Sequence, residues 1–311
     1  MKRLLGLALA ADVVALMTVV LGSWTRINGA GLTCPDWPLC NGHLIPAMTG
    51  GTLWEWTHRL LAFLVAPLTI ALIAAAWQQR RRSTFVGPTA GAIFGLFVLQ
   101  VILGAETVRL GNSPASVVLH WATAMAFIAA LTAMAVFAAA AEDAAPVPGA
   151  PFERSSTAVL VTLAVTAGLA FATMCVGAYV SSSGAGLACL SIPGCAGNVV
   201  VYTTGQFVQM VHRLAAGVTL ASAAAALAVA WARPASARVR AAVATGVVLV
   251  CLQILLGLLN VALRLPVDLR EAHAVNAALL FLAFFVATIF ASIDCAVLTP
   301  APNFAPGGSA R

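Results

Sequence analysis

Eight stretches of this sequence are apolar for about twenty residues at a time, and that property removes most folds from consideration. They run roughly Leu4–Ser23, Leu53–Trp77, Gly87–Thr107, Val117–Ala141, Thr157–Val180, Gly205–Trp231, Ala241–Leu263 and Ala272–Ile293. An α-helix rises about 1.5 Å per residue, so about 20 apolar residues cross the hydrocarbon core of a bilayer. With no water there to serve backbone N–H and C=O groups, a helix satisfies them internally. The sequence therefore predicts an all-α polytopic membrane protein with eight transmembrane helices. The 61% hydrophobic and 8% charged content agrees, far from soluble usage. In such a chain the formal charge of +6 bears on topology, and nucleic acid is not an expected partner.

Assigning alternate connections to the two sides of a membrane separates the basic residues. Lys2, Arg3, Arg80, Arg81, Arg82, Arg154, Arg233, Arg238, Arg240 and Arg311 fall on one side. The other receives Arg26, Arg109, Arg264 and Arg270, while Arg59 and Arg213 lie within helices. The positive-inside bias then puts both termini in the cytoplasm, and the expected location is the plasma (inner) membrane. The N-terminal Met-Lys-Arg and apolar run also fit a cleaved signal peptide. An uncleavable counterpart in the second half of the chain argues against that alternative.

That counterpart belongs to a duplication. The loop TRINGAGLTCPDWPLCNG from Thr25 is echoed by YVSSSGAGLACLSIPGCAG from Tyr179, and Cys189 and Cys195 follow Cys34 and Cys40 by 155 residues. His212 follows His58 by 154, LQILLG from Leu252 follows LQVILG from Leu99 by 153, and His273 follows His120 by 153. A nearly constant offset marks an internal repeat. Each unit holds four helices, an even number, so the expected fold is two parallel-repeat four-helix bundles. The halves are expected at residues 1–141 and 157–295, with a Pro/Ala-rich cytoplasmic linker at 142–156 and a disordered tail at 296–311.

Ionisable groups at membrane depth are costly and usually face a bundle interior. WEWTHR, from Trp54, places Glu55, His58 and Arg59 within about one helical turn. The bland reading is an i,i+4 Glu–Arg pair beside a hydrogen-bonded histidine. However, His58, His120, His212 and His273 each stand near the same end of an outside-to-inside helix, toward the extracytoplasmic side. Two imidazoles on facing helices suit axial ligation of a haem iron. Zinc would want about four ligands in a compact cluster, and each half offers two histidines. Arg59 and Arg213 are candidates for porphyrin propionates, or for snorkelling to headgroups. Glu55 has no acidic counterpart: the equivalent position is Gln209.

Both cysteine pairs fall on the outer, oxidising side, where two intraloop disulfides, Cys34–Cys40 and Cys189–Cys195, are the natural reading. A zinc site using Cys34, Cys40 and His43 is the alternative. Cys175, Cys251 and Cys295 read as small core residues. No C-x-x-C-H is present, so covalent c-type haem attachment is not expected.

With the cysteine loop, Glu55-x-x-His58-Arg59, the LQxxLG repeats and the four histidines in hand, the sequence resembles the haem A synthases over essentially all eight helices. The resemblance implies an oxidoreductase that converts haem O to haem A by oxidising a porphyrin methyl group to a formyl in successive hydroxylations. Carried over, it implies haem b as cofactor on His212 and His273, haem O meeting His58 and His120, Glu55 as the catalytic carboxylate and Cys34/Cys40 as the functional loop pair. Implied partners are the haem O substrate, haem O synthase and a membrane electron acceptor; a homo-oligomer is compatible. The rivals are a bis-histidine dihaem electron-transfer protein and a haem carrier, neither of which needs a carboxylate in one half only. A haem-farnesylating prenyltransferase would need Asp-rich motifs, and the aspartates here are isolated.

Overall fold

The computed structural model describes residues 1–81, 83–142, 154–192, 194–195, 197 and 201–296. Their helices are α1 (Lys2–Ile27), α2 (Gly51–Gln79), α3 (Val86–Arg109), α4 (Pro114–Glu142), α5 (Thr157–Ser182), α6 (Thr204–Ala232), α7 (Ala237–Ala262) and α8 (Val267–Ala296). A single 3-10 turn, Ala185–Leu187, lies between α5 and α6. All eight long helices are long and apolar enough to cross a membrane, which makes this a multi-pass membrane protein.

Most helices extend past their apolar runs by one to five residues at one or both ends, and α7 stops one residue short of Leu263. Several starts are fixed by side-chain caps: Ser156 and Ser236 accept from the backbone N–H groups of Val159 and Val239, and Thr203 accepts from that of Gln206. Pro114 opens α4, where a missing N–H costs nothing. Most of the predicted linker and tail (143–153 and 297–311) lies outside the described residues.

In the first half α1 packs on α2 and α4, and α3 on α4; in the second α5 packs on α6 and α8, and α7 on α8. α1 also meets α8, and α4 meets α5, across the line between halves. One core cluster centres on Leu4, Leu72, Ile93, Met125, Leu131 and Met134, the other on Val159, Leu163, Val239, Val243 and Phe284. α4 is the most enclosed span, with 56% of its apolar window buried against 11% for α3. The perimeter is apolar instead: Phe63, Ile70, Trp77 and Val248 are all 65% exposed or more. In water that surface would be an aggregation liability; against lipid it is the expected face.

Candidate functional site

At one end of the bundle the two cysteine loops cover the starts of α2 and α6. Cys34–Cys40 and Cys189–Cys195 are disulfides, so the zinc alternative has no thiolates to use. His43 is tied instead by backbone hydrogen bonds exchanged with Cys40.

Glu55 and Arg59 explain how the first loop is held. Glu55 is 4% exposed, and its Oε2 accepts from Thr33 Oγ1 and from the Cys34 N–H, each at 2.9 Å. Its Oε1 accepts from Arg59 Nη2 at 2.8 Å. Arg59 also donates to the carbonyls of Cys34 (2.6 Å), Asp36 (2.7 Å) and Leu39. Four donations from Nη1 and Nη2 use all the N–H groups of those two atoms. In the second half Gln209 Oε1 accepts from the Cys189 N–H at 2.6 Å, while Nε2 donates to the Gly186 carbonyl at 2.8 Å. Arg213 donates to the carbonyls of Cys189, Ser191 and Gly194. The charged motif read from the sequence is thus a loop clamp in both halves, ionic in the first and an amide in the second.

Below the clamps stand the four histidines, each with an imidazole edge against a glycine of the neighbouring helix. A Cβ built on Gly22 of α1 would lie 2.6 Å from His58 Cε1, and one on Gly104 of α3 would lie 3.1 Å from His120 Cε1. Gly177 of α5 and Gly257 of α7 stand likewise 2.9 and 3.2 Å from His212 and His273 Cε1. At Gly22 and Gly177 a side chain would collide with the ring as placed, while at Gly104 and Gly257 the ring would have to give by a few tenths of an ångström. The sequence carried a signal for this that the motif reading passed over. Gly177 follows Gly22 by 155 residues, and Gly104 and Gly257 close the two LQxxLG repeats.

The glutamines of those repeats also point at the histidines. Gln100 Nε2 lies 3.4 Å from His120 Nε2, and Gln253 Nε2 lies 3.1 Å from His273 Nε2. An amide N–H donates there when the ring carries its proton on Nδ1. Gln253 is also pinned: it donates to the His273 carbonyl at 3.1 Å and accepts from Asn276 Nδ2 at 2.7 Å. At the position equivalent to Asn276 the first half has Thr123, and Gln100 Oε1 is buried without a partner.

The two histidine pairs differ in what lies around them. The His212 and His273 rings stand edge to face, with centroids 6.4 Å apart and planes at 74°. His58 and His120 instead line a cavity of about 520 Å³ bounded by residues of α1, α2, α3, α4 and the first cysteine loop. Its lining is mainly apolar, including Phe97, Phe127 and Ile128, with Glu55, Arg59, Arg26 and Trp37 toward the loop. His58 Nδ1 is 2.9 Å from the Thr18 carbonyl, so Nδ1–H donates and Nε2 keeps its lone pair. His120 Nδ1 and Trp121 Nε1 are buried without partners in the protein, as are His212 Nδ1 and His273 Nδ1. Buried nitrogens of this kind ordinarily have a partner.

Fold and site together define a class: a multi-pass helical membrane protein with two pairs of glycine-backed histidines beneath disulfide-closed loops. The chain belongs to the cytochrome oxidase assembly protein family, which it matches over residues 6–51 and 48–285. Among curated relatives it is 32% identical to the heme A synthase of Shouchella clausii over 226 residues, 69% of this chain and 72% of that one. It is 27% identical over 221 residues to the heme A synthase of Bacillus licheniformis, covering 69% of this chain and 71% of the relative. With the heme A synthase of Halalkalibacterium halodurans the identity is 33% over 211 residues, 65% and 67% of the two chains.

Proposed function

We propose that the protein is a haem A synthase, an oxidoreductase that acts on haem O and oxidises one porphyrin methyl group to a formyl. The observation that carries this reading is the contrast between the two histidine pairs. One stands ring to ring, whereas the other lines a cavity with a carboxylate in its wall.

The second half, residues 157–295, would hold haem b between His212 and His273. Two imidazoles that hold one metal ion through a nitrogen each would have ring centres roughly 6 Å apart. The observed 6.4 Å fits, as do the glycine cradles. The haem supplies the one-electron chemistry that protein side chains lack. Gly177 and Gly257 would leave room for the two rings, and Asn276 would position Gln253 beside His273.

The first half, residues 1–141, would bind haem O with His58 and His120 facing its iron. The loop closed by Cys34–Cys40 walls the cavity and limits water entry, held down by Arg59. Glu55 is both the foot of that loop and the carboxylate nearest the cavity. We assign it acceptance of a proton released as the methyl group is oxidised, a role its twin Gln209 cannot take. In the plasma membrane the basic side would be cytoplasmic with both termini, placing the haem sites and disulfides on the extracytoplasmic, oxidising side. Haem O synthase upstream and an electron acceptor in the membrane complete the expected partners.

The test is extraction and chromatography of the haems bound to the purified protein from cells that make haem O. Haem b together with haem O or haem A supports the synthase. Haem b alone overturns it in favour of the dihaem carrier reading.

A further inference from the structure

The two arginines that the sequence offers for anion binding are occupied: Arg59 and Arg213 direct guanidinium donors at loop carbonyls. Another arginine faces the first cavity. Arg26, in the last turn of α1, is half-buried and lines it at the loop end. Its Nη2 donates to Ser181 Oγ of α5 at 3.0 Å, a neutral acceptor. The ion pairs among the described residues are Met1–Glu142, Arg59–Glu55, Arg109–Glu106 and Arg238–Asp294, and Arg26 is in none of them.

Two charged groups of α8 face it, Arg270 and Glu271. Arg270 reaches the Ile27 carbonyl, next to Arg26 in the chain, at 3.5 Å. Glu271, 8% exposed, does not close on Arg26: its Oε2 accepts from Ser23 Oγ at 2.8 Å, and its Oε1 has no partner. Arg26 thus lines the end of an apolar cavity, with Arg270 behind it and the local carboxylate turned toward Ser23. Like charges in a half-buried place repel, and an anion between them relieves the repulsion. The planar fork of a guanidinium matches a carboxylate in particular.

We infer that Arg26, with Arg270 beside it, is a carboxylate-binding site at the loop end of the first cavity, and that it takes the propionates of the porphyrin lodged there. The identity of the occupant rests on the haem reading above. A cavity with two histidines within and Arg26 at one end, backed by Arg270, suits an amphiphile that carries a metal at its centre and carboxylates on one edge. The site belongs to the first half alone, because the residue 155 positions after Arg26 is Ser181.

The experiment separates carboxylate recognition from general binding. Iron protoporphyrin IX and its dimethyl ester are titrated in turn into the detergent-solubilised protein as purified, and the Soret band is followed. Wild type should bind the diacid more tightly than the diester. Arg26→Gln should weaken the diacid on the order of tenfold and leave the diester within about twofold, since a charge-assisted hydrogen bond is worth roughly a factor of ten or more. Arg26→Lys should fall between, keeping the charge without the fork. Arg270→Gln should shift the diacid in the same direction by less, and Arg109→Gln, already paired with Glu106, should change neither. If Arg26→Gln binds both porphyrins as wild type does, or loses both equally, the inference is overturned while the histidine site stands. If His58→Ala leaves binding of the added porphyrin unchanged, the porphyrin is not in this cavity, and the substrate-site reading falls with the inference.

Discussion

Glu55→Gln is the most informative single change, because the protein already contains the amide version of the same clamp. Glu55 accepts three hydrogen bonds, from Thr33, Cys34 and Arg59, within 2.9 Å. A glutamine keeps one acceptor oxygen for the Cys34 N–H, as Gln209 does for Cys189. Its NH2 can turn to the carbonyl of Gly31, the equivalent of Gly186; that oxygen receives Asn112 Nδ2 at 2.9 Å and has a second lone pair. What is lost is a charge-assisted bond to Arg59, about 1.5–3 kcal/mol, against a new neutral bond of about 1 kcal/mol. Arg59 keeps its three backbone carbonyls, so the net loss should be about 1–2 kcal/mol, too little to unfold the loop. The chemical loss is of another size, because removing a positioned proton acceptor typically costs about 10²–10⁴-fold in rate. The expected outcome is normal haem b content and a small drop in thermal midpoint, with haem A formation falling on the order of a hundredfold. The assay is the haem composition of membranes that express the variant beside a haem O source. Wild-type haem A levels would refute the proton-accepting role and leave Glu55 as a clamp only. Gln209→Glu is the mirror change, and it should disturb haem b binding more than turnover.

Three further outcomes follow from the same geometry. Gly177→Ala places a methyl group 2.9 Å from His212 Cε1, so haem b content should fall sharply, whereas Gly257→Ala at 3.2 Å should be milder; full occupancy in purified Gly177→Ala would show that the cradle is not needed. His212→Ala and His273→Ala should each abolish the haem b absorption spectrum of the purified protein, and retention of wild-type haem in both sinks the ligand assignment. Asp36, on the surface of the first cysteine loop, is held below the usual carboxylate range by the backbone N–H groups of Gly42 and Asn41. A lowered folded-state value means that its contribution is present above the ordinary aspartate range, near pH 4, and fades as pH falls through the lowered value. Phosphine reduction of Cys34–Cys40 should therefore quicken in that acid window in wild type, and the step should vanish in Asp36→Asn; an identical profile in both argues against it.

How much of this was legible in the sequence depended on whether the signal lay along the chain or across it. Apolar length gave all eight helices to within a few residues, since Leu53–Trp77 and the observed Gly51–Gln79 differ only by flanking turns. The constant offsets paired the four histidines and both cysteine loops. The purpose of Arg59 was not legible: an i,i+4 Glu–Arg pair is visible in a sequence, but the three loop carbonyls that complete its shell come from residues 20 to 25 positions away. The glycines were hidden for a related reason. A small residue in an apolar run has no meaning until the helix beside it is known, although their repeat positions beside Gln100 and Gln253 were a usable hint. Arg26 was counted as a loop charge, and only the packing of α1 against α8 and the hydrogen bond to Ser181 of α5 set its place at the cavity.

The difference between Asn276 and Thr123 has a consequence for exchange. A cofactor should stay bound for the life of the protein, while a substrate must leave as product on every cycle, so the two sites need opposite residence times. On the second side Asn276 grips the Leu249 carbonyl at 2.9 Å and the Gln253 amide at 2.7 Å, which leaves that histidine's neighbour one rotamer. On the first side Gln100 Oε1 has no partner in the protein, so nothing comparable fixes its amide beside His120. Under the proposed assignment, one amide present in one copy and missing from the other would make a latch of one pair and a revolving door of its twin.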